Sequence, residues 1–477
     1  MLHTSSMVVS AVATTGIYCR PECGARPLPR NVSPFRSAVA AEASGYRPCL
    51  RCRPDRRPFD GGPGDAPEPV SRALGLISDG YLDRFTEETM ASQVGYSVRQ
   101  LRRLFEQHVG ATPSFVARSR RAHFARRLLD ETNLAMTVVA GASGFGSVRQ
   151  MSRVMESIFG FAPRVLRDKR GTNDVLTVDG GLRLRLPVAE PFDRGAVVDH
   201  LRPRSTPGVE SVDGTTYRRT LMVCGNPGVV EVDLGSVDTH LEMRAHLPSF
   251  VSIIDDVGRI RAMFGLDDRA GEADAHLRRD PLIGEMARRR PGLRVVGGWD
   301  KFETIVRVIV GQQVSVAGAT TVTGRLVERT GVPVAGSALG LTRLFPTADR
   351  LIELDPEDAG MPKSRAATIS ALAAAVIDGS IDLTGATGFA TVREQLLSIR
   401  GIGPWTTDVV MMRALRDPDA FPAGDLGIQR AIARLRRSDV YPSESEVRDI
   451  SQPWRPYRAL AAQHLWASLR NQELEQI

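Results

Sequence analysis

Four of the five cysteines fall into two close pairs, Cys19-x3-Cys23 and Cys49-x2-Cys52, with 25 residues between the pairs. Thiolates presented in pairs, each pair on its own turn, are what a tetrahedral structural zinc ion requires. Pro21, Pro48 and Pro54 flank the pairs and suit rigid turns. A disulfide framework, or a Cys-rich knuckle without further chemistry, are the alternatives. A second constellation runs Leu396-Leu397-Ser398-Ile399-Arg400-Gly401-Ile402-Gly403-Pro404-Trp405-Thr406-Thr407-Asp408. It reads as a helix, a Gly-Ile-Gly hairpin and a second helix starting at Pro404, where a missing N–H costs nothing. Free N–H groups at that helix start can bind phosphate, and Gly401 and Gly403 let a backbone come close. A plain helical corner is the competing reading. Beyond it, Phe421-Pro422-Ala423-Gly424-Asp425 sets one carboxylate behind a turn and ahead of a fresh helix. Asp425 can cap that helix and still present its charge to a cavity. All four tryptophans (Trp299, Trp405, Trp454, Trp466) lie in this C-terminal part. Beside a phosphate grip, Trp405 reads as a stacking surface for an extruded base rather than as core.

The elements around these residues carry their own signals. Met90 to Ser97 leads into Val98-Arg99-Gln100-Leu101-Arg102-Arg103, and Val139 to Ser147 leads into Val148-Arg149-Gln150-Met151-Ser152-Arg153. Each unit has a short helix, a Gly-aromatic turn, a capping Ser and a second helix, with a repeat of about 50 residues. That is helix-turn-helix geometry, in which the second helix enters a major groove. Arg99, Gln100, Arg102, Arg149, Gln150 and Arg153 are the candidate DNA-reading residues. A helical bundle with two ordinary corners is the alternative. Charge supports the DNA reading. Residues 1–170 hold 25 Lys+Arg against 15 Asp+Glu, whereas the remainder holds 37 against 40. The cationic excess therefore sits where the paired units are, which points to an anionic partner.

Length and composition set the frame. The 477 residues imply several domains, and 42% hydrophobic with 25% charged residues is ordinary globular composition. No apolar run is long enough for a membrane helix. The first residues, MLHTSSMVVSAVATTG, have a short apolar stretch and no preceding Lys or Arg, unlike a secretion signal. A soluble, cytoplasmic, nucleoid-associated monomer is expected. The fold expected is multidomain and mainly α. Residues 1–59 form a small zinc α/β domain, and the Gly/Pro/acidic stretch 60–69 is a linker. Residues 70–170 carry the two helix-turn-helix units. An antiparallel α+β subdomain spans 177–290, with strand candidates Leu182–Leu186, Tyr217–Val223, Val229–Leu234 and Leu241–Leu247. An all-α helix-hairpin-helix domain fills 291–477.

Three family resemblances cover nearly the whole chain. Thr14 to Cys23 with Arg47 to Asp55 closely resembles the Ada N-terminal domain, short at its N-terminus relative to that family. The resemblance implies that Cys19, Cys23, Cys49 and Cys52 hold one zinc ion and that Cys19 takes a methyl group from a DNA methyl phosphotriester. Residues 70–168 resemble the AraC-type DNA-binding region. Residues 177–477 resemble 3-methyladenine DNA glycosylase II, the AlkA family, through Gly311-Gln312-Gln313-Val314-Ser315-Val316, the Gly-Ile-Gly-Pro-Trp hairpin, Asp425, and Trp454 to Trp466. This implies a catalytic Asp425, with Gln312, Gln313, Trp405 and Trp466 at the substrate and Gly401 and Gly403 on phosphate. The family's wedge position falls at Gln313, and two of its pocket aromatics fall at Val409 and Leu426, which puts substrate range in question. Cys224 lies outside the Pro-Cys-His-Arg context of the O6-alkylguanine methyltransferase module, so that module is not expected here.

The chemistry implied is hydrolysis of N-glycosidic bonds to N3- or N7-alkylated purines in double-stranded DNA. The hairpin position of a Schiff-base lysine is occupied by Trp405, so no strand-cleaving lyase step is expected. No four-cysteine cluster follows the domain, so no iron–sulfur cluster is expected; a monovalent cation at the hairpin is a further expectation. Methyl transfer to Cys19 would change four thiolates on one zinc from −2 to −1 overall and tighten operator binding. RNA polymerase is then an expected partner. The competing class is a transcription regulator whose C-terminal domain is catalytically inactive.

Overall fold

The computed structural model describes residues 9–54, 66–171, 181–235, 239–268, 270–334, 340–355, 360–384 and 387–474. The start of the segment weighed as a signal, and residues 60–65 of the expected linker, lie outside them. The chain forms two compact units. The first comprises 1–187, 242–259 and 384–388; the second comprises 188–241, 260–383 and 389–477.

The first unit opens with strands β1 (Val9–Val12), β2 (Ile17–Cys19), β3 (Val32–Phe35) and β4 (Arg47–Pro48), in the order β3-β1-β2-β4. β1 and β2 are antiparallel across a turn at Gly16, whose φ of 64° suits glycine. β4 lies parallel to β2, pairing Tyr18 with Pro48. The helix Ala38–Ala43 starts at Ser37, whose side chain accepts from the Ala40 N–H. Val9, Ala11, Tyr18 and Ala41 make a core too small to hold such a domain alone, so a metal is a natural supplement.

Next come the repeated units. The helices Glu87–Gln93 and Val98–His108 form the first, and Met136–Ala142 and Val148–Phe159 the second. Gly95 and Gly144 turn the chain in the left-handed region, at φ 84° and 76°. Ser97 and Ser147 cap the following helices. Leu101 and Phe105 bury one face of Val98–His108, and Met151 and Met155 bury the matching positions of Val148–Phe159. The 19-residue helix Pro113–Glu131 runs between the units, adding Val116 and Ala117 to the first unit's core.

Strands β5 (Leu182–Pro187), β6 (Glu210–Asp213), β7 (Thr216–Val223), β8 (Asn226–Asp233) and β9 (His240–His246) make a sheet in the order β5-β9-β8-β7-β6. β6, β7 and β8 pair antiparallel. The four expected strands are present, and β6 is an additional one. The second unit then continues through helices that include Lys301–Val310, Val316–Thr330, Lys363–Ile377, Phe389–Ser398, Pro404–Arg413, Leu426–Leu435 and Arg458–Leu474. Ile305, Ile309, Ile369, Leu372, Leu396, Val410, Ile428, Ile432 and Leu465 join in one hydrophobic core. Trp454 is fully buried there, edge-on to Phe421, and Trp299 is buried beneath the Arg219 guanidinium.

Candidate metal centre, nucleic-acid interface and active site

The parallel pairing of β2 and β4 brings the two cysteine pairs together. The Cys49 N–H donates to the Tyr18 carbonyl at 3.0 Å, so Cys19 and Cys49 leave the sheet side by side. A turn closed by the Cys23 N–H on Arg20 O (3.1 Å) supplies Cys23, and one closed by the Arg53 N–H on Cys49 O (3.0 Å) supplies Cys52. All four sulfurs lie within 4.8 Å of one another, unbridged by disulfides. A tetrahedral zinc ion with Zn–S bonds of about 2.3 Å needs sulfurs roughly 3.8 Å apart, so this cage fits one. Burial and the thiols of Cys49 and Cys23 push Cys19 far up, and burial carries Cys52 to about 11. Cys49 is brought below its usual value despite burial, by the N–H groups of Cys52 and Arg51. Cys19 and Cys52 thus resist ionisation unless a dication supplies the opposing charge. Cys19 is buried; the other three are half-buried.

The cysteine domain is seated on the helix-turn-helix region. The Glu42 carboxylate, buried, accepts from Tyr18 Oη (2.7 Å) and Ser119 Oγ (2.6 Å) and meets His123 Nε2 at 2.6 Å. Arg20 donates to Arg53 O, and Arg53 pairs with Asp130 at 2.5 Å. Ser119, His123 and Asp130 all belong to the helix Pro113–Glu131. Gly110, just after the helix Val98–His108, lies so close to Ala40 that a Cβ there would come within 2.6 Å. Gly160, just after the helix Val148–Phe159, lies against Arg47, whose guanidinium covers Phe161.

The six candidate DNA-reading side chains are all exposed. Their roles divide. Gln100 Oε1 accepts from the Ser97 N–H, completing a capping box, and Gln150 Oε1 accepts from the Gly146 N–H. Arg102 pairs with Glu87 at 2.7 Å. Arg99, Arg149 and Arg153 make no side-chain hydrogen bond or ion pair among the described residues, and are the ones left to reach an outside partner.

In the second unit the hairpin turns at Gly401, φ 96°, where any Cβ would collide with Thr368 Oγ1. Gly403 is the extended residue before Pro404, and nothing comes within 4 Å of where its Cβ would stand. Asp425 caps Leu426–Leu435, its Oδ1 accepting from the Ile428 N–H at 3.0 Å. The same carboxylate accepts from both flanking indoles: Trp405 Nε1 reaches Oδ2 and Trp466 Nε1 reaches Oδ1, each at 2.9 Å. Three N–H donors therefore hold the half-buried anion, and no Lys or Arg pairs with it among the described residues. Hydrogen bonds to an ionised group contribute about 1.5–3 kcal/mol each. Trp405, expected as a stacking surface, and Trp466, expected at the substrate, fix the carboxylate by their edges. The Arg413 guanidinium lies 5.4 Å from the Trp466 ring centre. Val409 is buried and Leu426 is 72% exposed. Gln312 donates to Gly401 O (3.0 Å) and Thr406 Oγ1 (2.9 Å), whereas Gln313 is exposed with φ 56°.

Comparison with known proteins finds four family models in succession along the chain. The metal binding domain of Ada matches residues 3–55, a helix-turn-helix domain 90–169, the AlkA N-terminal domain 183–300, and the HhH-GPD superfamily of base excision DNA repair proteins 306–456. The chain is 28% identical over 281 residues, 58% of its length and 94% of the relative's, to DNA-3-methyladenine glycosylase 2 of Escherichia coli. It is 34% identical over 160 residues, 33% of its length and 44% of the relative's, to the bifunctional transcriptional activator/DNA repair enzyme Ada of the same organism. In fold it resembles the 3-methyladenine DNA-glycosylase of Archaeoglobus fulgidus, with a TM-score of 0.53 and 22% identity over 61% of this chain and 98% of that one. A probable bifunctional transcriptional activator/DNA repair enzyme AlkA from Mycobacterium tuberculosis is 38% identical over 467 residues, 97% of this chain and 93% of the relative. With four-cysteine cluster, paired helix-turn-helix units and hairpin domain in one order along one polypeptide, the chain belongs to the family of bifunctional transcriptional activator/DNA repair enzymes.

Proposed function

We propose that the protein repairs alkylated DNA by hydrolytic removal of N3- and N7-alkylated purines, and couples this repair to regulation of transcription. The observation that carries the enzymatic half is Asp425, an anion held by three N–H donors, unneutralised by any described cation and set just behind a glycine hairpin. Alkylation at N3 or N7 makes the purine cationic, so it departs as a neutral base and needs little acid catalysis. The barrier lies in the positive charge that develops on the sugar. A preorganised carboxylate stabilises that charge and can orient the attacking water. The hairpin holds the DNA backbone through Gly401, Gly403 and the start of the helix Pro404–Arg413. A cationic base also gains up to about 2 kcal/mol on a desolvated indole face, which favours damaged over normal purines. The test is release of free 3-methyladenine from methylated duplex DNA. A regulator with an inactive C-terminal domain releases none.

The reaction is read as monofunctional. Trp405 stands where a Schiff-base lysine would have to stand, and Lys301 and Lys363 are remote from it in sequence. Borohydride reduction during turnover is expected to trap no covalent protein–DNA adduct, checked by denaturing electrophoresis; a trapped adduct overturns the hydrolytic reading.

For the first unit, Cys19, Cys23, Cys49 and Cys52 would hold zinc, which keeps thiolates available at neutral pH. Cys19 sulfur would bond to the methyl carbon as the methyl–oxygen bond of a phosphotriester breaks, leaving an ordinary phosphodiester anion. Loss of one thiolate charge lessens repulsion from nearby phosphates. Operator affinity is expected to rise after stoichiometric methylation, and to rise less at high salt. Unchanged affinity, measured by titration at several salt concentrations, removes the switch. Arg99, Arg149 and Arg153 are the residues proposed to contact DNA, and RNA polymerase the partner recruited.

A further inference from the structure

Two indole N–H groups hold the Asp425 carboxylate, and one helix governs both. Trp405 is the second residue of Pro404–Arg413, so its edge is set by the helix start itself. Trp466 belongs to the helix Arg458–Leu474, and its Nε1 donates to Asp425 Oδ1 at 2.9 Å. An indole has a single N–H, in the plane of its ring, so it meets that oxygen in one ring orientation only. Against the ring lies Arg413, the last residue of Pro404–Arg413, its guanidinium carbon 5.4 Å from the ring centre. Arg413 is itself fastened. Nη1 donates to the Val296 carbonyl at 2.9 Å. The same nitrogen lies 3.1 Å from His200 Nε2, which accepts, because a guanidinium only donates. Nη2 donates to Gln463 Oε1 at 3.4 Å, one turn before Trp466 on its own helix. His200 and Gln463 are both buried. A planar cation anchored at three points is a fixed wall against one face of the indole.

We infer that Arg413 is a positioning residue for base release: it holds Trp466 in the orientation that presents the indole N–H to Asp425, and leaves only the opposite ring face to an extruded base. This rests on the glycosylase reading above. A carboxylate stabilises a developing sugar cation best when its own donors are already in place. If the Trp466 ring turns, Oδ1 keeps only the Ile428 N–H, and the charge is no longer held at a set place. The helix Pro404–Arg413 then has two tasks. Its start follows the hairpin that grips the backbone, and its end sets the second indole. The loss on removing Arg413 falls on the chemical step rather than on DNA binding.

The experiment uses the full-length zinc-loaded protein. Arg413→Met keeps the stem but removes the plane, the charge and the donors; Arg413→Lys keeps the charge. Single-turnover release of 3-methyladenine from methylated duplex is expected to slow about tenfold in the first and about threefold in the second. Affinity for undamaged duplex is expected to stay within about twofold in both. The signature is the Trp466 indole N–H resonance of the DNA-free protein carrying isotope-labelled tryptophan, assigned by its loss in Trp466→Phe. It is expected to move upfield in Arg413→Met, toward a solvated indole, while the Trp405 resonance stays in place. Adding Arg413→Met to Trp466→Phe is expected to cost no more than about a further twofold, because the arginine acts through the ring. An unmoved Trp466 resonance, release at the wild-type rate, or fully additive losses overturn the inference. Wild-type protein that releases no base overturns the glycosylase reading itself, and the resonance then still decides whether Arg413 holds the ring.

Discussion

Asp425→Asn is expected to slow base release from methylated DNA by about three orders of magnitude, the scale seen when a preorganised group facing a developing charge is lost. The substitution preserves size but not acceptor number. The aspartate takes three N–H donors, Ile428 N and Trp466 Nε1 on one oxygen and Trp405 Nε1 on the other. Asparagine keeps one oxygen for the first two and turns an NH2 group toward the third, where donor meets donor. Melting of the variant must therefore be measured beside its rate. A fold that survives with release abolished supports the carboxylate as the group that stabilises the sugar cation. Release at the wild-type rate removes Asp425 from the catalytic role, whereas no release by the wild-type protein removes the enzymatic assignment and leaves a DNA-binding protein. Residual slow release is expected in any case, because a cationic purine leaves unaided.

The second large effect lies at the other end of the chain. Cys49→Ala is expected to reduce bound zinc from one ion per chain to none, read by metal analysis, and to unfold the cysteine domain. Apparent binding energies of structural zinc run to about 10–16 kcal/mol at neutral pH. The apolar core of Val9, Ala11, Tyr18 and Ala41 has nothing comparable to offer. The thermal transition of the first unit is expected to fall by many degrees, while release of 3-methyladenine, which depends on residues of the second, continues. Retention of a full zinc equivalent by the variant argues against a four-cysteine ligand set.

Much of this organisation was legible in the sequence because it is local. Cysteine pairs report a metal through spacing alone, and Gly95 with Ser97 reports a turn and a cap within three residues. Asp425 was legible as a cap for the same reason. What escaped was long-range. The indole edges that hold Asp425 come from 20 and 41 residues away, and no periodicity announces where a tryptophan N–H will point. Gln312 is expected at the substrate by resemblance, and nothing local announces that its amide bonds to a hairpin 89 residues on. Among the candidate readers, Gln100, Gln150 and Arg102 are engaged by their own units, a consequence of capping and of Glu87 that helix-face arithmetic overlooks. The charged residues Glu210, Arg219 and Glu303 would be assigned to the surface by type, but they are buried together, with Arg219 bonding to Glu303 at 2.9 Å. Only paired and hydrogen-bonded charges tolerate such burial, and the sheet and helix that pair them are far apart in sequence.

The seating of the cysteine domain on the helix Pro113–Glu131 has a consequence for how the chain can be recombined. Transplanting residues 1–54 from another protein onto this helix-turn-helix region would strip Ser119 and His123 of the Glu42 carboxylate and Asp130 of Arg53, and would oppose Gly110 and Gly160 with unmatched side chains. Asp130 keeps Arg126 of its own helix at 2.9 Å, but Ser119 and His123 lose their shared acceptor, and each buried polar group left unsatisfied costs about 1–3 kcal/mol. Chimaeras cut between residues 55 and 65 therefore inherit a mismatched seam unless the residues on both sides are exchanged together.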